Sequence, residues 1–295
     1  MNKINYFKNG FLEEILSIKD FNEEKNWPKI SVIMPSFNHS QYIEKSILSV
    51  LNQGYPNLEF IIIDGGSIDG TVEIIKKYSK YIHYWISEKD YGQSDALNKG
   101  FQKANGQIYG WLNSDDVYLP KTFFHIINAF LKNNSKLLIF GDWLTIDEND
   151  KVIDLNHAFN FNLNHFKYEG FHLNSQSMLW KSELHKKFSG YNLNFYNTMD
   201  YQMILEFGII AEKNFLRIDE VLGAFRRHDL QKTGPTISPK IMEEHLIMSK
   251  KYNYTDKYNT FGKLKRLYFR FRRAYWYFKR GGIRNLIRRL LLSFN

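Results

Sequence analysis

The sequence predicts an α/β fold, a mostly parallel central sheet flanked by helices, with a basic helical extension at its C-terminal end. Three observations support this. Short apolar runs alternate with segments of helical periodicity, four of these runs stop at polar or acidic residues, and residues 261–295 hold many Lys and Arg but no carboxylate.

The elements follow in order. Ile30-Ser31-Val32-Ile33-Met34 is an apolar run that stops at Pro35-Ser36-Phe37-Asn38. Ile43, Ile47, Val50 and Leu51 then recur at helical spacing up to Gly54. Phe60-Ile61-Ile62-Ile63 ends in Asp64-Gly65-Gly66, and a second helix carries Val72, Ile74, Ile75 and Tyr78. Ile82 to Ile86 stops near Glu88 and Asp90, a third helix spans roughly Ser94 to Ala104, and Ile108 to Leu112 leads into Asn113-Ser114-Asp115-Asp116. Short buried runs alternating with helices indicate strand-helix-strand units and a parallel sheet. Ligands of such sheets bind beyond the carboxyl ends of the strands. Ser36 and Asn38, Asp64, Glu88 and Asp90, and Asp115 and Asp116 all fall on that edge, which makes it the predicted site.

Two adjacent carboxylates after a buried strand suit a divalent cation. Hard ions take carboxylate and phosphate oxygens, and Mg²⁺ commonly binds through one or two carboxylates plus substrate phosphates. The alternative is that Asp115 or Asp116 caps a helix beginning near Pro120. Asp69-Gly70-Thr71 reads as a helix start.

Composition sets the bounds. With 295 residues and 43% hydrophobic side chains there is room for one large domain and an appendage. Cysteine is absent, which excludes a disulfide framework and thiolate metal sites and fits a reducing compartment. No run approaches a membrane span, and the first residues lack the apolar stretch of a signal peptide. The expectation is a cytoplasmic protein, soluble or peripheral at the inner face of the membrane. Net charge is +9, but eleven basic residues lie in 261–295, and the rest of the chain holds 29 basic against 31 acidic residues. The body is nearly neutral and the extension carries the charge.

Four blocks, Ser31 to Asn38, Ile63 to Thr71, Asp90 to Gly100 and Trp111 to Asp116, together resemble the family-2 glycosyltransferases of the GT-A fold, a Rossmann-like architecture. The resemblance covers roughly residues 29–230. It implies an inverting enzyme that moves a sugar from a nucleotide diphosphate, a UDP-sugar by family preference, to an acceptor hydroxyl with bound Mg²⁺ or Mn²⁺. It implies that Pro35, Ser36 and Asn38 shape the nucleotide loop, that Asp64 hydrogen-bonds the base, and that Asp95 touches nucleotide or donor sugar. Asp95 also suits the dipole of its own helix. The resemblance makes Asp116 the first metal ligand and Asp115 a ligand or a ribose contact. Many relatives carry a further Asp where this chain has Asn113. Thr198-Met199-Asp200-Tyr201 resembles the segment bearing the catalytic base, which nominates Asp200. A first-turn Asp is, however, stabilised as the anion, which lowers its basicity. After Val221 to Phe225, read as a strand, Arg226-Arg227-His228 resembles a Phe-Arg-x-His element. Either His228 completes the metal shell, or Arg226 and His228 meet the diphosphate. Gln176 is a candidate for the acceptor side.

In the extension, Leu264, Leu267, Tyr268, Phe271, Tyr275 and Phe278 form an apolar stripe amid Lys and Arg, and a second helix is expected after Gly281-Gly282. Three readings stand: a membrane-surface helix, packing on the body or on a second copy, and nucleic-acid binding. The membrane reading is adopted and nucleic acid is not expected as a partner. The predicted organisation is a helical leader over 1–28, a GT-A domain over 29–240 (nucleotide half 29–116, acceptor half 117–240), and basic helices over 241–295. Expected partners are a nucleotide-sugar donor, a saccharide or lipid-linked acceptor of surface polysaccharide assembly, and an anionic membrane met through residues 261–295. The oligomeric state stays open. The alternative function is a catalytically silent GT-A protein that binds membrane or nucleic acid.

Overall fold

The structure, a computed structural model, describes residues 21, 26–170, 173–229, 231–232 and 238–292. The predicted leader helix lies outside the described residues.

The first half alternates as expected: β1 (Ile30–Ser36), α1 (Ile43–Leu51), β2 (Leu58–Asp64), α2 (Thr71–Lys77), β3 (Tyr84–Ser87), α3 (Gln93–Lys103) and β4 (Ile108–Trp111). The second half adds β5 (Val117–Tyr118), α4 (Thr122–Lys132), β6 (Leu138–Ile146), β7 (Val152–Asn156), α5 (Leu163–Glu169), β8 (Met178–Lys181), α6 (Ser182–His185), α7 (Met199–Ala211) and β9 (Phe215–Arg226). Helices α8 (Pro239–Lys251) and α9 (Thr260–Leu292) follow. The strands form one sheet in the order β3-β2-β1-β4-β8-β6-β9-β5, with β7 on β6. Strands β3, β2, β1 and β4 are parallel, as is β6 with β9; β8, β5 and β7 join antiparallel. The chain winds outward from β1 to β3 and then returns to place β4 on the other side of β1. The order therefore reverses between β1 and β4, the place where open α/β sheets open a crevice.

Alternation along the strands covers both faces. Val32, Met34, Phe60 and Ile62 pack with Ile43, Ile47, Ile126 and Ile127 of α1 and α4. Ile33, Tyr109, Trp111 and Phe140 pack with Leu97, Phe101, Met203 and Phe207 of α3 and α7. Helix α7 is apolar nearly all round because it is buried nearly all round.

Two elements differ from expectation. Strand β9 begins six residues before Val221, because Phe215 to Arg217 pair with Leu138 to Phe140 of β6. Helix α9 runs unbroken through Gly281-Gly282. Each glycine there costs about 1 kcal/mol relative to alanine, yet keeps the N–H that a proline would remove. The predicted stripe of α9 is exposed, and another face meets the body: Phe269 stacks on Tyr168, Arg273 donates to Glu169 at 2.7 Å, and Arg217 stands over the Trp276 ring.

Gly223 of β9 faces the backbone that precedes β8, and a Cβ there would fall 2.1 Å from the Gln176 carbonyl oxygen. Gly223→Ala is expected to destabilise the fold by about 1–3 kcal/mol through overpacking. Urea unfolding measures this, and an unchanged midpoint would contradict the close approach.

Candidate functional site

Of two large cavities, one of about 650 Å³ opens between α5, α8 and the start of α9, lined by Lys167, Tyr168, Tyr254 and Lys265 among others. The other, of about 710 Å³, gathers the carboxyl ends of β1, β2 and β4, the start of α3, the start of α7 and the segment after β9. It lies at the switch point, and Pro35, Ser36, Asp90, Asp115 and Asp200 of the predicted residues line it.

Pro35 and Ser36 line it from β1. The Ser36 Oγ is buried with no hydrogen-bond partner among the described residues, so it faces the cavity with its polar capacity unmet. Asn38 does not line the cavity. It adopts φ +52, accepts from the Ile68 N–H at 3.0 Å and donates its own N–H to Ser67 Oγ at 2.7 Å, tying the β1 loop to the β2 loop. Asp69 works alongside it, accepting from the N–H groups of Ser40 and Thr71.

Asp64, expected to meet the base, is instead buried within that second loop. Its Oδ1 accepts from Ser67 Oγ (2.6 Å), and its Oδ2 from the N–H groups of Gly66 (3.1 Å) and Ser67 (2.9 Å) and from Ser87 Oγ (2.7 Å). Gly65 and Gly66 line the cavity in its place. Gly66 holds φ +83, and a Cβ on Gly65 would come within 3.0 Å of the Asp90 carboxylate. Asp90 faces the cavity, where burial pushes its carboxyl upward. Asp95 does not line it. It accepts from the Tyr91 N–H at 3.2 Å and pairs with Lys99, so it stabilises the start of α3.

The adjacent aspartates part ways. Asp116 is buried, its Oδ1 accepting from the Arg226 N–H (2.9 Å) and its Oδ2 from Asn113 Nδ2 (3.1 Å). Burial and the charge of Asp115 push its carboxyl well up. Asp116 thus ties the loop after β4 to the end of β9 and does not line the cavity, whereas Asp115, the other expected ligand, does. Against the upward push of burial, the hydrogen bond from His228 and the charges of His39 and His228 hold Asp115 below the usual carboxylate range. Asn113 accepts from Trp111 Nε1 and Gln93 Nε2, both at 2.8 Å, while donating to Asp116. An Asp at 113 could not make that donation.

Arg226, expected at the diphosphate, is fully buried. Its Nε donates to the Asp115 carbonyl (2.8 Å), and one terminal nitrogen donates to the Asp147 carbonyl (3.0 Å) and to Asp150 (2.6 Å). Its other terminal nitrogen is buried with no hydrogen-bond partner among the described residues, and the side chain does not line the cavity. Gln176 is likewise buried and away from the cavity.

His228 meets Asp115 at 3.0 Å, and His39 adds a second imidazole. One ligand atom each from His39, Asp115 and His228 lie within 4.8 Å of one another. Burial outweighs the charge of Asp115 and pushes the His39 imidazole down, and its Nδ1 lies 2.7 Å from Ser114 Oγ. The buried His228 Nδ1 has no partner among the described residues. One carboxylate, two imidazoles and unmet polar capacity fit a divalent ion.

Asp200 lines the same cavity from the start of α7. Burial pushes its carboxyl up to about 7, with the Tyr201 N–H (2.7 Å) pulling down and the Glu244 charge adding to the rise. Burial thus outweighs the helix dipole that the sequence suggested would lower its basicity. Glu244 of α8 accepts from the N–H groups of Tyr196 (2.9 Å) and Asn197 (3.1 Å) and from Thr198 Oγ1 (2.8 Å), shaping the turn into α7. Lys232 stands in the cavity, its Nζ 3.2 Å from Gln93 Oε1 and 4.5 Å from the centre of the Tyr196 ring. His39, Lys232 and Glu244 were not singled out in the sequence as site residues, whereas Asp90 was read there on the strand-end edge. His39 lies three residues beyond Ser36, on the same strand-end edge, and that position was its signal. Lys232 and Glu244 have no local pattern.

Residues 31–191 match the model of glycosyl transferase family 2. An uncharacterized glycosyltransferase of Rickettsia typhi is 28% identical over 72% of this chain and 68% of its own length. The putative teichuronic acid biosynthesis glycosyltransferase TuaG of Bacillus subtilis is 43% identical over 32% of this chain and 38% of its own. The chain spans a minor part of other relatives, 19% of the length of a Rickettsia bellii glycosyltransferase. S. aureus TarS 1-349, solved with UDP-GlcNAc, superposes with TM-score 0.56 at 17% identity, over 74% of this chain and 66% of that one. The mannosyltransferase PcManGT of Pyrobaculum calidifontis, solved with GDP-Man and Mn²⁺, gives 0.53 at 16%, over 70% and 59%. These neighbours share the GT-A sheet and its switch point. With more than half its length matched by the family model, the chain belongs to glycosyl transferase family 2.

Proposed function

We propose that the chain is an inverting glycosyltransferase that moves a sugar from a nucleoside diphosphate, a UDP-sugar, to a hydroxyl of a saccharide or lipid-linked acceptor in surface polysaccharide assembly. The observation that carries this reading is one cavity holding both the strand-end loops at the switch point and a carboxylate, Asp200, poised near neutrality. UDP-GlcNAc bound to TarS supports the donor class, and the name of TuaG supports the acceptor class. A catalytically silent relative would have no use for a carboxylate raised to about 7 in the same cavity as one held below its usual range.

In this reading the acceptor oxygen bonds to the anomeric carbon as the bond from that carbon to the diphosphate oxygen breaks. The electron pair leaves with the nucleoside diphosphate, and Asp200 takes the hydroxyl proton. Ser36 and Gly65 hold the nucleotide, and Lys232, which stands in the cavity, meets the diphosphate. Asp115, His39 and His228 would hold a divalent ion, which would supply positive charge to stabilise the leaving group. Two imidazoles beside one carboxylate favour Mn²⁺ over Mg²⁺.

Asp200→Asn is expected to lower kcat by roughly 10²–10⁴-fold while UDP still binds; calorimetry and single-turnover assays check both, and an active variant would sink the base assignment. Activity of the native chain should fall as pH drops through about 7, because Asp200 must be ionised to accept a proton. In Glu244→Gln that acid limb should move to lower pH, since the charge that raises Asp200 is gone; a limb that stays in place would deny Glu244 this role. His39→Ala should weaken Mn²⁺ binding, read by the free-ion EPR signal, by about tenfold or more. Unchanged Mn²⁺ binding would remove His39 from the ligand set.

A further inference from the structure

Helix α9 has two apolar faces, and only one is covered. Phe269 and Tyr277 are 8% and 6% exposed against the body, whereas Phe261, Leu264, Phe271 and Tyr275 are 73%, 62%, 67% and 68% exposed. At about 100° per residue, the exposed set, with Leu267, Tyr268 and Phe278, centres roughly opposite the Gly262-Phe269-Arg273 face that packs inward. Lys263 and Arg270 flank the outer stripe on one side, and Lys265, Arg272 and Lys279 on the other. The sequence from 261 to 295 holds no carboxylate.

We propose that this outer face of α9 docks the protein on an anionic lipid surface, with the aromatic and leucine side chains entering the headgroup boundary and the flanking Lys and Arg reaching the phosphates. An apolar stripe between two basic flanks suits that interface, where long cationic side chains lie beside an apolar bed with their charges at the headgroups. Charge complementarity selects this occupant over the others. A second copy meeting the face about a two-fold axis would set basic flank against basic flank with no acid on either. A lipid surface takes both the exposed rings and the exposed Leu264 and Leu267, whereas a single-stranded nucleic acid would use the rings alone. No helix among the described residues is long and apolar enough to cross a membrane, so the attachment lies along the surface. This inference is independent of the glycosyl-transfer reading.

The test is sedimentation of the full chain with vesicles of phosphatidylcholine alone or mixed with phosphatidylglycerol, compared with Leu264→Glu/Phe271→Glu/Tyr275→Glu. All three positions are exposed, so the triple variant is expected to keep the native melting temperature and UDP binding. The native chain should bind the anionic vesicles at least about tenfold more tightly than the neutral ones, and the variant should lose that binding. A second variant, Lys263→Glu/Arg270→Glu, should lose the preference for anionic lipid. The proposal is overturned if the native chain ignores both vesicles or if the triple variant binds as well as the native chain. It is also overturned if the stripe is needed for a lipid-free dimer or for RNA binding while vesicles go unbound.

Discussion

The site depends on one buried lock, the hydrogen bond from the Arg226 N–H to Asp116 and the clamp that the Arg226 guanidinium places on Asp115, Asp147 and Asp150. Asp116, just past β4, and Arg226, at the end of β9, are 110 residues apart in sequence, and this lock holds them together. Because Asp116 turns inward to meet Arg226, Asp115 turns outward into the cavity. Because β9 is fixed there, His228 arrives beside Asp115. Leaving one member of such a buried hydrogen bond unpaired costs about 1–3 kcal/mol, so its geometry is stiff. The cavity-facing Asp115 is positioned by residues that do not line the cavity.

Burial then separates the acids by role. Asp115 is held below the usual carboxylate range by the imidazoles around it, while Asp200, which lines the same cavity from the start of α7, is raised to about 7 by burial and by the charge of Glu244. Neighbouring acids whose environments push them apart can serve one as an anion and the other as a proton acceptor. The same cavity can therefore face a cation and a hydroxyl without both acids competing for the cation.

How far this was legible in the sequence varies with the range of the interactions. The strand ends at Ser36, Asp64, Asp90 and Asp115 were legible, because alternation between buried runs and helices is a local signal and the carboxyl edge follows from topology. Which acids face outward was not. Asp64 is claimed by Ser67 and Ser87 and Asp95 by Tyr91 and Lys99, short-range bonds that a motif does not display. Asp115 and Asp116 are sequence neighbours with opposite orientations, and the partner that decides between them is Arg226. On α9, Phe269, Trp276 and Tyr277 are as apolar as Phe271 and Tyr275, so periodicity shows a helix with two candidate faces but not which one meets the body.

The expected boundary at residue 240 divides groups that the hydrogen bonds join. Glu244, just past that boundary, accepts from three consecutive residues ahead of α7, and the His245 ring packs edge-on to Tyr201, 4.4 Å between centres. Tyr201 follows Asp200 directly. Helix α8 is thus part of the wall that carries the proposed base, and the turn at Thr198 has its hydrogen bonds met only when α8 is in place. Helix α9 in turn rests on α5 through Tyr168 and Glu169, and the Tyr201 hydroxyl donates to the Phe166 and Lys167 carbonyls of that same helix. The basic extension is therefore built onto the residues behind Asp200, and a docked α9 would fix the orientation of the cavity relative to the surface on which it rests.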